Sequence, residues 1–236
     1  MPQQISEATR ARRPYRAGAL LAATAPMILP VLDSEYRRVL DLGCGMNDTL
    51  SKLALPDRAL RVGLDVAADE IKAAHRMIAD VRYAVGDGHA LPFRAGAFDL
   101  VISKVALPYM NIPVALRDIH RVLREGGQVW TTLHPLRMAA MRILRALKTG
   151  RLKDVVHQSY AILNGWTLEN WGRQFRYPLN RRRIESLQTI GGIARALLSA
   201  GFSDVRFEVR SRGPGYADDD RQLGEVFAVA ARKPVR

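Results

Sequence analysis

At 236 residues the chain is long enough for one α/β domain with an elaboration and short for two independent ones. With 48% hydrophobic and 25% charged residues its composition is ordinary for a globular protein. No apolar run approaches the roughly 20 residues that span a bilayer, so no transmembrane segment is expected. The formal charge of +13 points to an acidic partner or surface, while the single cysteine, Cys44, excludes an internal disulfide and suggests a reducing cytoplasm.

Residues 1–16 carry Arg10, Arg12, Arg13 and Arg16 with few apolar side chains, and read as a solvated arm rather than a nucleic-acid-binding one. Ala17 to Leu32 is the most apolar early segment. Pro26, Pro30 and the lack of a small-residue cleavage site argue against a signal peptide, so residues 1–36 read as an arm and a helix leading into the first strand.

The chain is organised around residues 37–50. Val39, Leu40 and Leu42 form a short apolar run suited to a strand buried on both faces; Gly43 and Gly45 break it, and Leu50, Leu53 and Ala54 resume at helical spacing. Such a turn lets backbone approach a ligand closely and aims the free N–H groups of a helix start at it. A dinucleotide fingerprint is disfavoured, because Asp48 stands where its third glycine would meet a pyrophosphate. Asp41 instead puts a carboxylate at the strand end, where it suits a cationic ligand. The alternative is a turn that only packs a helix on a sheet. For Cys44, between the two glycines, a packing role is expected rather than nucleophilic chemistry.

A second apolar run, Leu60 to Leu64, ends at Asp65, 22 residues after Gly43. An acid at that strand tip can accept from both ribose hydroxyls of a nucleotide-type ligand. It can also cap the next helix, which carries Ile71, Ala74 and Ile78 on one stripe; Asp69 could take over that cap and leave Asp65 for the ligand. Val81 to Val85 reads as the third strand, with Asp87 beyond its tip, and Phe98 to Ser103 as the fourth, entering a loop with Tyr109. Ala115, Ile119, Val122 and Leu123 form a helical stripe expected to end at Gly126-Gly127, before a fifth strand from Gln128 to Leu133. His134 at its tip is the general-base candidate, with His89 second; His75 and His120 read as surface residues of helices.

The string Asp41-Leu42-Gly43-Cys44-Gly45 resembles the first motif of class I S-adenosylmethionine-dependent methyltransferases of the type 11 pattern. The stretch from Asp87 through Pro92-Phe93 to Phe98-Asp99-Leu100-Val101 resembles their second signature, and Leu123-Arg124-Glu125-Gly126-Gly127-Gln128-Val129 is also usual among them. Many members carry a further glycine where this chain has Asn47. The resemblance covers residues 37–134 by motif and 189–232 by pattern. It implies an α/β fold: a doubly wound, Rossmann-like, mostly parallel sheet of seven strands with a C-terminal antiparallel hairpin. It also implies S-adenosylmethionine as cofactor, leaving S-adenosylhomocysteine, and no metal. In relatives of this pattern the position of Asp87 faces the adenine amino group and the next backbone N–H, here that of Gly88, a ring nitrogen. Asp41, Gly43, Cys44, Gly45, Asp65 and Val66 complete the expected cofactor site, and by position Ser103 would contact the methionine moiety, Tyr109 either ligand, and His134 the acceptor.

Residues 135–188 depart from the minimal fold as an insertion. Leu136, Ala140, Ile143, Leu144 and Leu147 mark an amphipathic helix; Tyr160, Trp166, Trp171, Phe175 and Tyr177 follow, then Arg181-Arg182-Arg183. From 135 to 185 eleven Lys and Arg face three acids, an excess of eight. Two readings stand: a lid over an acceptor pocket, aromatic inside and basic outside, or a solvated cap with the aromatics in its own core. Residues 189–236 complete the domain with a helix from Ile190 to Ala200 and strands at Val205–Val209 and Val226–Ala230, joined across Asp218-Asp219-Asp220. The expected activity is methyl transfer by direct displacement to a small anionic or aromatic acceptor. Methylation of RNA, a membrane-surface contact through the 136–148 helix, and a non-catalytic cofactor-binding module are the alternatives.

Overall fold

The computed structural model describes residues 36–46, 49–134, 136–210 and 226–235. The expected N-terminal arm and helix, Asn47, Asp48 and the acidic turn at 218–220 lie outside the described residues.

Seven strands form one sheet: β1 (Arg38–Leu42), β2 (Leu60–Asp65), β3 (Arg82–Val85), β4 (Phe98–Lys104), β5 (Leu123–Leu133), β6 (Ser203–Arg210) and β7 (Val226–Arg232). Their order is β3-β2-β1-β4-β5-β7-β6. The first five run parallel and β7 is antiparallel to β5 and β6, as the resemblance implies. Because alternate residues point to opposite faces, each central strand feeds two cores. Leu40, Leu42, Val101, Val129 and Leu133 share one with Leu116 and Ile119 of helix α2 (Ile112–Val122) and Ile193 and Leu197 of helix α5 (Ile190–Ser199). Val39, Leu100, Ile102 and Trp130 face the other way, with Leu50, Leu53 and Val81. Each such fully buried leucine or isoleucine stabilises the fold by roughly 1.5–3 kcal/mol, which makes the strand order hard to rearrange.

Helix α1 (Ala68–Met77) crosses between β2 and β3 and buries Ile71 and Ala74. Its N-cap is Ala67, without a side-chain cap, and Asp69 does not take the expected role: its exposed carboxylate only approaches Lys72 at 3.8 Å. The helix expected after β1 is reduced to a 3-10 turn, Thr49–Lys52, since Pro56 follows too soon for a longer element to propagate. Nor does α2 end at Gly126-Gly127. It stops at Val122, and Leu123, fully buried and paired with Phe98, already belongs to β5. Gly126, at φ 69°, serves an excursion in β5 instead: the pairing jumps from Phe98↔Leu123 to Leu100↔Gln128.

Two acids, one buried and one half-buried, pin this frame. Asp99 accepts from the backbone N–H groups of Arg37 and Arg38 at 2.9 and 2.8 Å and from the Arg124 guanidinium at 2.9 Å. Burial works against its charge, but these donors outweigh it and hold the carboxyl below its ordinary range. On α2, Asp118 takes the Leu91 N–H while Arg121 donates to the carbonyls of Phe93 and Leu91 at 2.7 and 3.0 Å. No helix lies between β3 and β4, so this clamp fixes the loop that carries Asp87.

The insertion holds helices α3 (Leu136–Lys148) and α4 (Leu152–Trp171). Its stripe is not the buried face the periodicity predicts: Met138, Ala139 and Ala146 are buried, whereas Leu136, Ala140, Leu144 and Leu147 are exposed. Helix α4 packs so closely on the following segment that a Cβ at Gly165 would lie 1.8 Å from the Leu187 carbonyl oxygen. Ser186 N–H in turn donates to Pro108 O at 2.9 Å, tying the insertion to the loop after β4.

Candidate functional site

The strand register stacks the predicted residues along one edge. Asp41 lies level with Gly63 on β2 and Ile102 on β4, and Gly63 level with Tyr83 on β3. Asp65 is therefore two residues further toward the C-terminal edge than Asp41, Asp87 four, and Ser103 one. Ile102 pairs with Trp130, so His134 stands four residues up as well, about 13 Å along β5 at 3.3 Å per residue. The three acids and Ser103 climb one edge of the sheet, with His134 beyond it on the far side.

Asp41 is the most unusual group. It is 1% exposed, and among the described residues neither carboxylate oxygen has a hydrogen-bond partner. Burial lifts its pKa from 3.8 to about 7; the Lys104 ammonium and the Thr49 hydroxyl pull it down, and the Asp65 charge pushes it up. Lys104 Nζ itself donates to Thr49 Oγ1 at 3.3 Å, so the cation is shared rather than committed to Asp41. Ser103 Oγ, also fully buried, is a second group without a partner among the described residues. Unpaired buried groups of this kind are rare and costly. A ligand presenting an ammonium beside Asp41 would satisfy it, and the amino group of S-adenosylmethionine fits that chemistry.

The glycine turn differs from its expected state. Gly43 and Gly45 hold φ of 74° and 52°, in the region glycine favours. Their N–H groups, however, are not aimed free at a ligand: those of Gly43 and Cys44 donate to Leu64 O at 2.7 and 3.2 Å, and that of Gly45 to Asp65 Oδ2 at 3.0 Å. The turn is closed onto β2. Glycine is needed because a Cβ at Gly43 would overlap that of Ala106 at 2.2 Å, and one at Gly45 would meet Glu70 Oε2 at 2.7 Å. Cys44 is buried, its Sγ 2.9 Å from where a Cβ on Gly63 would lie. Burial and the Asp41 and Asp65 carboxylates push its thiol far up, which suits packing and not nucleophilic attack.

Asp65 is less free than expected, since Oδ1 also accepts from Ala67 N–H at 2.9 Å. Each oxygen thus carries one backbone bond and retains a lone pair, so the acid both braces the β2–α1 turn and keeps capacity for a hydroxyl. Val66 follows it, half-buried at the strand tip. Asp87 is more exposed and is oriented by His89: its Oδ1 accepts from His89 N at 2.9 Å and lies 2.6 Å from Nδ1. The Asn111 N–H donates to His89 Nε2 at 2.8 Å, so Nε2 is the acceptor nitrogen and Nδ1 carries the proton toward Asp87. His89 is therefore placed as a brace for Asp87. Gly88 beside it is buried against Met110, whose Sδ would be 2.7 Å from a Cβ there.

Between these acids and the acceptor side runs the loop after β4. Val105 holds φ 59°, a strained conformation for a β-branched residue, and its N–H donates to Thr132 O at 3.2 Å. The strain turns Ala106 onto Gly43 and brings Tyr109 and Met110 to the edge. Tyr109 and His134 are both half-buried there. His120, expected on the surface, instead packs edge-on to Phe202 with ring centroids 5.1 Å apart. Sequence reasoning missed Thr49, Lys104, Met110 and the His89–Asn111 contact. Lys104 alone had a readable signal, because it lies two residues beyond Ile102 on a strand and so shares the face of Ile102.

The aromatic residues of the insertion do not gather under a lid. Tyr160 and Tyr177 are buried against Ala139, Ala161 and Leu187, while Trp166 and Trp171 are exposed and packed edge-on to each other at 4.9 Å. The cap-with-its-own-core reading describes Tyr160 and Tyr177 and not the two tryptophans.

The Methyltransferase domain family matches residues 40–131. The malonyl-[acyl-carrier protein] O-methyltransferase of Herminiimonas arsenicoxydans is 32% identical over 222 residues, covering 91% of this chain and 72% of that protein. The fatty-acid O-methyltransferase of Mycolicibacterium smegmatis is 38% identical over 99 residues, 40% of this chain and 36% of that one. The chain spans about half or less of the length of several such curated relatives. A solved S-adenosylmethionine-dependent methyltransferase from Methanosarcina mazei shares the fold, with a TM-score of 0.57 at 15% identity over 89% of this chain and 99% of that one.

Proposed function

This chain belongs to the class I S-adenosylmethionine-dependent methyltransferase family, and on that premise we propose that it moves a methyl group to a carboxylate oxygen of a small acyl acceptor. The observation that carries the cofactor part of the reading is Asp41, a fully buried acid at the tip of β1 with no hydrogen-bond partner among the described residues. S-adenosylmethionine when bound supplies an electrophilic methyl on a sulfonium. The chain's own residues bind and align: Asp41 takes the ammonium, Asp65 the ribose, Asp87 held by His89 the adenine amino group, and Ser103 Oγ the methionine moiety.

The acceptor class is supported by the names of the two relatives above and by the basic insertion, which suits an anion. A carboxylate is ionised at neutral pH and needs no proton removed before it attacks, so alignment and exclusion of water supply the catalysis. On this reading His134 and Tyr109 orient the acceptor. His134 acts as a general base only if the attacked group is a hydroxyl or an amine.

Labelled methyl transfer from S-adenosylmethionine to a panel of short and long carboxylic acids and their thioesters tests this. A product that releases labelled methanol in mild alkali is the expected methyl ester. An alkali-stable product would move the acceptor to nitrogen, carbon or a hydroxyl, and label in RNA would replace the small acceptor altogether. Cofactor binding with no transfer would leave a binding module.

A further inference from the structure

Helix α4 turns an apolar face away from the protein. Leu152, Val156, Leu163 and Trp166 recur at offsets of 0, 4, 11 and 14 residues, which at 100° per residue fall within an arc of about 80°. All four are about half exposed or more, Leu152 at 66% and Trp166 at 48%, while the other side of the helix buries Tyr160, Ala161, Asn164 and Leu168. The stripe runs about 21 Å along the axis at 1.5 Å per residue, broken only by Ser159. Three residues of turn away, α3 leaves Leu144 and Leu147 exposed at 59% and 53%. Trp171 extends the apolar surface beside Trp166.

The charge of the segment that carries these stripes is mostly positive. Arg145, Lys148, Arg151, Lys153, Arg173 and Arg176 are exposed. Of the three acids in the insertion, Glu185 is buried against His157 and Arg183, Asp154 pairs with Arg151 at 2.8 Å, and Glu169 accepts from the Thr189 hydroxyl. Only Asp154 pairs with one of the six cations named, Arg151. An apolar strip about 21 Å long, on a segment rich in exposed cations and with two tryptophans at one end, fits a planar anionic surface of lipid. It fits a folded acidic partner less well, because the strip offers almost no polar groups with which a protein rim could bond.

We propose that the α3–α4 face docks the enzyme on an anionic bilayer surface, with the leucine strip and Trp166–Trp171 entering the headgroup boundary. The surface lies outside the cofactor edge and does not depend on which acceptor is methylated.

Sedimentation of the full chain with vesicles of neutral phosphatidylcholine, alone or with phosphatidylglycerol, tests the proposal. Binding is expected only to the anionic vesicles, falling at least tenfold between low and physiological salt. Trp130 is buried in the sheet core, so a blue shift of tryptophan emission on binding would come from Trp166 and Trp171. The double variant Leu163→Gln, Trp166→Gln should weaken vesicle binding at least tenfold. The separate variant Arg145→Gln, Lys148→Gln, two of the six cations named, should lower binding to anionic vesicles and make its salt dependence shallower. Both should keep wild-type helical content and affinity for S-adenosylhomocysteine, a readout that also tests the cofactor site independently of docking. Equal binding to neutral vesicles, no binding to anionic ones, or full binding by the double variant would overturn the proposal. So would a self-association or a capture by an acidic protein that the same double variant abolishes while vesicle binding persists. If residues 17–32 cover the strip, vesicles will not bind and soluble quenchers will not reach Trp166, which also overturns it.

Discussion

The cofactor edge and the insertion handle their buried carboxylates in opposite ways. Along the edge, Asp41 is buried with no hydrogen-bond partner among the described residues; the buried Glu185 of the insertion accepts from Arg183 at 2.8 Å and lies 3.2 Å from His157 Nε2. In the insertion, Asn164 donates to the Glu185 carbonyl at 2.9 Å and accepts from Phe175 N–H at 2.8 Å, and Gln174 links Ile112 N–H to Ser186 Oγ. A network so satisfied rigidifies, whereas an orphan stores free energy that a ligand can release. One region is built to be completed by a bound molecule, and the other to hold itself together and to the loop after β4.

The largest expected effect breaks the edge. Asp41 has its folded pKa raised from 3.8 to about 7, so between those values the folded state holds the proton more tightly than the unfolded one. Stability of the ligand-free protein should fall as pH rises from about 4 and level off above about 7, by about 4 kcal/mol in all. Asp41→Asn should abolish that slope in denaturant titrations at a series of pH values. In the wild type, affinity for S-adenosylhomocysteine should climb with pH by up to about tenfold per unit below pH 7, because the ionised carboxylate is the binding form. Calorimetry on the variant should show weaker binding with that dependence gone; an unchanged pH profile would remove Asp41 from the ammonium site.

Next in size is the insertion's own closure. Gly165→Ala puts a methyl against the Leu187 carbonyl, a backbone group that cannot swing aside. We expect a loss of about 3 kcal/mol in chemical unfolding, at the upper end for overpacking. The same change at Gly172, where nothing lies within 4 Å of a Cβ, should cost less, about 1–2 kcal/mol from its left-handed backbone at φ 67°.

Two smaller changes sharpen the contrast. Val105→Gly relieves a left-handed β-branched residue and should stabilise the protein by about 1 kcal/mol in thermal unfolding, while loosening the loop that lies on Gly43. His89→Ala should cost about 1 kcal/mol of cofactor binding, roughly fivefold, by releasing Asp87. The loss should largely vanish with S-inosylhomocysteine, which lacks the adenine amino group; an equal loss with both ligands would mean that His89 only supports the loop.

Much of the edge was legible in the chain. Short apolar runs ending in Asp41, Asp65 and just before Asp87 mark strand tips by local period and spacing, and the sheet places those tips in one climbing row. The hydrogen-bond partners of the turn were not legible. Gly45 reaches Asp65 across 20 residues and His89 reaches Asn111 across 22, and no local pattern encodes which amides will be consumed. The insertion misled for a related reason: its helical period was real, yet periodicity gives an apolar stripe without saying what it faces.

The sequence by itself determined the α/β class, the strand tips, the glycine turn and the concentration of charge in residues 135–185, because each rests on residues near one another along the chain. Tertiary structure decided that the turn amides close onto β2, that α2 stops at Val122 and that Asp41 finds no hydrogen-bond partner among the described residues. It also decided that Leu144, Leu147 and the α4 strip look outward. Those outcomes depend on which of several apolar faces and donors wins a competition between distant segments, and that is settled only when the chain packs.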